Sequence, residues 1–222
     1  MIERKFVKDQ KTEYNIEEYI GETLRNVGHS KTELTKTPLG DKIIIHAARP
    51  GLVVGKKGDN IKKITTTLKK KFKLDNPEIE IKEVTTQQLD ARIVAERIAN
   101  TLERYGIKRF KATAHRSMSD IMNAGALGVE ITLSGRIPSS RSKTWRFYDG
   151  YLKKCGDYSV NGMRRAITAA NLKTGTVGIK VSIMPPGLRL PDSMQVLEHP
   201  VEETKETEAQ NTDAQKTKEK KK

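Results

Sequence analysis

The stretch Val53-Val54-Gly55-Lys56-Lys57-Gly58-Asp59-Asn60-Ile61 sets two glycines around a doubly basic centre, directly ahead of residues with helical spacing. The chemistry on offer is capture of a phosphate. Glycines without β-carbons let the main chain approach an anion, the first amides of the following helix point outward, and the helix dipole favours negative charge there. Lys56 and Lys57 add mobile positive charge at the same place. A nucleotide-binding loop is the nearest rival, since Gly51 to Lys57 contains Gly-x-x-x-Gly-Lys-Lys. It fails twice: its glycines stand one residue too close, and no Ser or Thr follows Lys56 to hold magnesium. A second set of cations lies downstream. Lys108, Lys111 and His115 recur at i, i+3 and i+7, Arg109 and Arg116 form a neighbouring stripe, and Arg136, Arg141 and Lys143 fall in a basic segment from Gly135 to Lys143 read as a loop.

The elements around the two-glycine turn give it a frame. Asn15 is placed to cap a helix running to about Val27, with Ile16, Tyr19, Ile20, Leu24 and Val27 on one face and Gly28 as a stop. Thr32–Thr37 and Lys42–Ala48 read as strands joined by Pro38-Leu39-Gly40-Asp41, and consecutive Ile43-Ile44-Ile45 suits a strand buried on both faces. Arg49-Pro50-Gly51 turns into the clamp. From Gly58 to Phe72 a second helix turns Ile61, Ile64, Leu68 and Phe72 inward and leaves Lys62, Lys63, Lys69, Lys70 and Lys71 on its surface. Glu78–Val84 adds a third strand. The pattern Val54-Gly55-x-x-Gly58-x-x-Ile61 resembles the K-homology (KH) signature, whose loop holds single-stranded RNA. The order helix, strand, strand, clamp, helix, strand is that of the type II KH domain. The resemblance implies such a domain over residues 15–86, a three-stranded mixed sheet with helices, after an N-terminal extension of residues 1–14.

A second unit, residues 87–187, opens with Thr85-Thr86-Gln87-Gln88, which has the form of a capping box. Its first helix repeats Val94, Ile98, Leu102 and Tyr105 and ends at Gly106. Its second, from about Lys108 to Asn123, buries Phe110, Ala114, Met118 and Ile121. Strands are expected around Val129-Ile131-Leu133, over Thr144–Leu152, over Ser159–Asn171 and over Thr176–Met184, with a hairpin turn at Lys173-Thr174-Gly175. The fold class is therefore α+β twice over, the second domain being two helices on a four-stranded, mainly antiparallel sheet. Residues 188–222 lose apolar periodicity and read as a disordered charged tail.

Composition narrows the partners. The chain of 222 residues holds 42 Lys and Arg against 28 Asp and Glu, a net charge of +14. The excess sits ahead of the tail, because residues 1–197 carry 36 bases and 21 acids. Such a surface suits a polyanion. No apolar run approaches the roughly 20 residues that span a bilayer, so membrane insertion is excluded and no membrane partner is expected, and Met1-Ile2-Glu3-Arg4-Lys5 precedes no apolar leader segment. Cys155, the only cysteine, rules out an internal disulfide and fits a reducing cytoplasm. His29, His46, His115 and His199 lack metal-ligand spacing, no acidic cluster suggests two-metal chemistry, and no Ser-His-Asp or Cys-His arrangement is visible. Neither catalytic residues nor a metal or cofactor are expected. Aromatics make up 5% of residues, so backbone contact rather than base stacking is expected to dominate RNA binding.

Taken in order, the clamp, Ala124-Gly125-Ala126-Leu127-Gly128, Val129-Glu130-Ile131-Thr132-Leu133-Ser134-Gly135-Arg136, Gly150-Tyr151-Leu152-Lys153-Lys154-Cys155-Gly156, and Gly178-Ile179-Lys180-Val181-Ser182-Ile183-Met184-Pro185-Pro186 resemble the universal small-subunit ribosomal protein S-three family in its archaeal form. The resemblance covers about residues 1–187. It implies a cytoplasmic constituent of the small-subunit head that binds ribosomal RNA, neighbours the S-ten and S-fourteen families and lines the mRNA entrance channel. It also implies that a basic face on the second helix of the C-terminal domain holds mRNA and aids its unwinding. The matching positions are Lys111, Ala112, His115 and Arg116, and they depart from the family's two adjacent basic residues at Ala112. Site residues expected to contact RNA are Gly55, Lys56, Lys57, Gly58, Lys62, Lys63, Lys108, Lys111, His115, Arg116, Arg136, Arg141 and Lys143. The alternative is a free-standing KH-type RNA-binding regulator that works off the ribosome.

Overall fold

Helix α1 spans Ile2–Thr23 and strands β1 (His29–Thr37) and β2 (Gly40–Ala47) follow it. In this computed structural model residues 2–37, 40–72, 74, 76–138, 140–188, 190 and 194 are described. Pro38 and Leu39 of the expected turn, and nearly all of the expected tail, lie outside them. Helix α1 begins thirteen residues before the expected cap Asn15, as its bounds Ile2–Thr23 require. Its first half is rich in Lys, Glu, Gln and Arg with no Gly or Pro, so helix propensity sustains it where apolar periodicity gives no signal. Asp9 anchors that half by an ion pair to Lys36 on β1, at 3.3 Å.

After β2 comes a short helix α2 (Pro50–Val54), where a turn was expected, then a 3₁₀ turn (Lys56–Gly58), helix α3 (Asp59–Phe72) and strand β3 (Glu78–Glu83). Pro50 at the first helical position explains α2, since its fixed φ is preset for a helix start. The sheet runs β1-β2-β3, with β1 antiparallel to β2 and β2 parallel to β3, the mixed topology expected from the sequence. Ile43 and Ile45 are buried and pack with Ile16, Ile20, Leu24, Val53, Ile64 and Leu68 in one core. Ile44 is only half-buried, which corrects the expectation of a strand covered on both faces. Both helices lie on one side, and Ile44 faces the other. Three consecutive threonines in α3 satisfy their hydroxyls within the helix by donating four residues back: Thr65 to Ile61, Thr66 to Lys62 and Thr67 to Lys63.

The second half begins with a 3₁₀ turn (Gln87–Leu89) and helix α4 (Ala91–Tyr105). Its cap is Asp90, whose carboxylate accepts from Arg92 N at 3.0 Å, and not the Thr85–Gln88 box. Gln87, between the box residues, donates from Nε2 to Ala48 O at 3.1 Å. Tyr105 is also corrected, since it is exposed, whereas Val94, Ile98 and Leu102 are buried together with Ile93, Ala95 and Ala99. Helix α5 (Phe110–Asn123) buries Phe110, Ala114, Met118 and Ile121 as expected. Lys108 and Arg109 fall in a preceding 3₁₀ turn rather than in the helix.

Strands β4 (Gly128–Ile137), β5 (Ser140–Gly150), β6 (Arg164–Leu172) and β7 (Gly175–Met184) complete a fully antiparallel sheet in the order β5-β4-β7-β6. The segment Gly135–Lys143 is not a basic loop: Arg136 belongs to β4, and Arg141 and Lys143 to β5, so only the Pro138 corner is turn. Pairing of Ile137 with Ser140, next to a register irregularity after Gly135, carries the ladder almost to the corner. Ser159 to Gly162, expected as strand, form part of a π-helical turn, and β6 starts at Arg164. Val129, Ile131 and Leu133 pair with Ile183, Val181 and Ile179 on the covered face and pack with α4 and α5 in a second core.

Candidate nucleic-acid interface

Local backbone geometry makes the clamp. Gly55 sits at φ 72°, ψ −176°, and Gly58 at φ 80°, both in territory that side chains rarely enter. The reasons for glycine differ. A β-carbon on Gly55 would fall 2.6 Å from the Asn60 amide, which is committed to Leu52 O at 3.3 Å. A β-carbon on Gly58 would meet nothing within 4 Å, so this position faces open space where an anion has access to the backbone. Lys57 between them is itself held at φ 54°, ψ 22°. Lys56 and Lys57 are exposed, and no ion pair with either is recorded among the described residues.

The anchors under the turn differ by one turn or less from those expected. Val54 is exposed and Ile61 half-buried, while Val53 and Ile64 are the residues buried in the core. An open groove of about 540 Å³ runs along the turn between Gly51, Leu52, Gly55, Lys56, Asp59 and Lys63. Lys62 and Lys63 are exposed on the first turns of α3, so four ammonium groups gather at its N-terminal end. Asp59 lies among them and offsets part of that charge.

The second set of cations divides. Lys111 and His115 from α5 and Lys143 from β5 come together around an aromatic pair. The ammonium of Lys111 lies 4.8 Å and that of Lys143 4.9 Å from the centre of the Trp145 ring, and the His115 ring meets Phe147 edge-on at 5.2 Å. Phe110, buried under α5, packs against Trp145 at 5.5 Å. Cation–ring attraction of this kind, worth about 0.5–1 kcal/mol at exposed sites, restrains two flexible side chains on one face. Lys108, Arg116, Arg136 and Arg141 are exposed but are not drawn into this cluster.

Trp145 is not among the site residues expected from the sequence. Its signal was available, because Lys143, Trp145 and Phe147 alternate along β5 and so share a face. Tyr148 and Tyr151 are exposed instead, as is Cys155. Other cations nearby are committed elsewhere. Glu130 accepts from Arg146 Nε at 2.8 Å and from Lys154 at 2.5 Å. Burial alone would push the Glu130 carboxyl up, but the Lys154 hydrogen bond and the charges of Lys154 and Arg146 together hold it below its ordinary value.

What this arrangement can do is neutralise phosphates at two places: a backbone turn opening on a helix N-terminus, and a fixed cationic cluster on α5 and β5. Comparison with known proteins agrees with that chemistry. Residues 15–89 match the KH domain family, and residues 98–183 match the family described as Ribosomal protein S3, C-terminal domain. The Small ribosomal subunit protein uS3 of Methanobrevibacter smithii is 44% identical over 197 residues, 89% of this chain and 78% of that protein. The uS3 protein of Methanosphaera stadtmanae is 40% identical over 210 residues, 95% of this chain and 82% of its own length. That of Methanococcus maripaludis is 41% identical over 206 residues, 93% of this chain and 97% of its own length.

Proposed function

The chain belongs to the uS3 family of small ribosomal subunit proteins, and on that premise we propose that it is a structural, RNA-binding constituent of the small subunit in the cytoplasm. It holds ribosomal RNA and lines the mRNA entrance channel. The role is binding rather than catalysis. The observation that carries the reading is the clamp: Gly58 opens to free space at φ 80° while Lys56 and Lys57 stand exposed beside the N-terminus of α3. Phosphate oxygens approach the main chain there, and release of their counterions supplies most of the affinity.

In this reading the α5–β5 face meets the incoming message. Lys111, His115 and Lys143 are ordered against Trp145 and Phe147, and Arg116 stands exposed on the same helix. Positive groups fixed in advance favour separated strands over a duplex by contacting each backbone as it opens. Ala112 removes one cation from the middle of that face, which Arg116 and Arg109 offset. Arg136 and Arg141, at the far end of the β4–β5 hairpin, extend the contact to ribosomal RNA. Proteins of the S-ten and S-fourteen families are the neighbours in the subunit head.

Sedimentation of a cell extract tests the assignment against the free-standing KH regulator. The tagged chain is expected to comigrate with small subunits at low and moderate salt. Recovery of the chain only in the slow-sedimenting fractions, with messenger RNA but without ribosomal RNA, would replace the proposal with the regulator.

A further inference from the structure

A cleft of about 300 Å³ lies where the first half of the chain meets α4, and none of its cations belongs to the clamp or to the α5–β5 cluster. One wall is Asn26–Gly28 with Ala48 and Arg49; the other is the face of α4 that carries Arg97, Asn100, Arg104 and Tyr105. Polar struts hold the walls together. The carboxylate of Glu96 accepts from Asn26 N and, at 3.1 Å, from Gly28 N. Gln87 Nε2 donates to Ala48 O, which leaves its amide oxygen as an acceptor at the cleft.

Arg49, Arg97 and Arg104 all line this space, and no carboxylate partner for any of them is recorded among the described residues. Arg97 and Arg104 are seven residues apart on α4, hence on one face. Glu96, the acid in the lining, is already engaged by two backbone amides. Tyr105 is 64% exposed at the rim, and the Arg109 guanidinium lies 5.8 Å from the centre of its ring. An exposed ring, the Asn100 amide, the remaining oxygen of the Gln87 amide and three uncommitted guanidiniums make a specific combination. The ring offers a stacking surface, the amides match the edge of a base, and the guanidiniums match phosphate oxygens bidentately.

We propose that this inter-module cleft is a second RNA site, taking one unstacked nucleotide whose base lies on Tyr105 and whose flanking phosphates are held by Arg49, Arg97 and Arg104. The proposal rests on the reading of the chain as an RNA-binding protein. An acidic peptide would use the arginines but leave the ring and the amides without a role. Arg49 immediately precedes α2, which leads into the clamp, so one short segment of chain links the cleft to the turn.

The test uses the full chain and a fluorescein-labelled single-stranded oligoadenylate, read by anisotropy across a salt series, with circular dichroism confirming the fold of each variant. Tyr105→Ala is expected to weaken binding about 5- to 150-fold, the range for loss of one stacked base. Tyr105→Phe keeps the ring and restores binding. Arg97→Ala with Arg104→Ala flattens the log–log salt slope by about 1.4, two single-stranded phosphate contacts. Wild-type affinity in Tyr105→Ala, with loss only in Lys56→Ala/Lys57→Ala, overturns the cleft and leaves the clamp standing. Unchanged affinity in all these variants overturns both the cleft and the clamp and leaves the α5–β5 face as the RNA contact, whereas no salt-sensitive binding of oligoadenylate by the wild-type chain removes the RNA reading altogether. Binding of labelled oligoglutamate that depends on Arg97 and Arg104 and is indifferent to oligoadenylate overturns the proposal in favour of an acidic peptide.

Discussion

Replacing Lys56 and Lys57 by alanine isolates the electrostatic share of the clamp. Both side chains are exposed with no described ion pair, so the fold is expected to change by less than about 0.5 kcal/mol. Lys57 stays at φ 54° whichever of the two residues occupies it, so the backbone strain is common to both forms. Each lysine that touches a single-stranded phosphate contributes about −0.7 to the slope of log affinity against log salt, so the pair contributes about −1.4. Between 50 and 200 mM salt, the range over which such slopes are usually read, the wild-type chain should lose about sevenfold more affinity than the variant. Anisotropy with a labelled oligonucleotide at several salt concentrations measures both slopes directly. Charge reversal, Lys56→Asp with Lys57→Asp, should deepen the loss of affinity while leaving the circular dichroism near wild type. Parallel slopes for wild type and the alanine pair would refute the reasoning, because they would mean that neither ammonium displaces a counterion from RNA.

Other perturbations test other parts. Lys111→Glu with Arg116→Glu should slow translation through stable hairpins more than through unstructured messages; equal slowing on both templates would point to an assembly defect instead. His29 is buried with a pKa lowered from 6.5 to about 4, first by burial and then by Arg92. Its unfolded form therefore binds more protons, and its contribution is full above pH 6.5 and is lost as pH falls towards 4, up to about 3 kcal/mol. Urea unfolding should show this decline in the wild type and a flatter profile in His29→Gln. Glu96→Ala deprives Asn26 N and Gly28 N, an exposed and a half-buried amide, of their acceptor and should cost about 1–3 kcal/mol, measured by chemical denaturation; a loss below about 0.5 kcal/mol would mean that water replaces the carboxylate without penalty.

Features set by neighbours in the chain were legible, and features set by distant residues were not. The clamp is local: two glycines, two lysines and the helix behind them lie within one short stretch, and the observed positive φ values at Gly55 and Gly58 are what those residue types permit. Strand alternation in Val129-Ile131-Leu133 and the buried stripe of α5 were equally plain. The Thr85–Gln88 box misled because a 3₁₀ turn, Gln87–Leu89, intervenes before α4 and Asp90, directly ahead of that helix, supplies the cap. Glu96 carries no signal of its own in the sequence, yet it is bound to amides 70 and 68 residues distant. The cleft beside it was invisible for the same reason. Arg49, Arg97 and Arg104 are unremarkable as a sequence and meet only once the modules dock.

That docking bears on the clamp itself. The segment feeding the clamp is pinned at Ala48, whose N–H donates to Gly28 O at 2.9 Å and whose carbonyl accepts from Gln87. One residue earlier, Ala47 O accepts from Val84 N at 3.2 Å. Gly28 is in turn held by Glu96 of α4, and Ser30, two residues on, is bonded to the capping carboxylate of Asp90. Arg92 closes the set, pairing with Glu17 of α1 at 3.0 Å. The second module therefore fixes the base of the turn, while its tip, Lys56 to Gly58, is held by little beyond its own backbone and the Asn60–Leu52 bond. A rigid base with an open tip lowers the ordering cost of gripping a phosphate chain, which is where affinity is otherwise lost. The contacts that join the halves thus belong to the binding apparatus as much as to the fold.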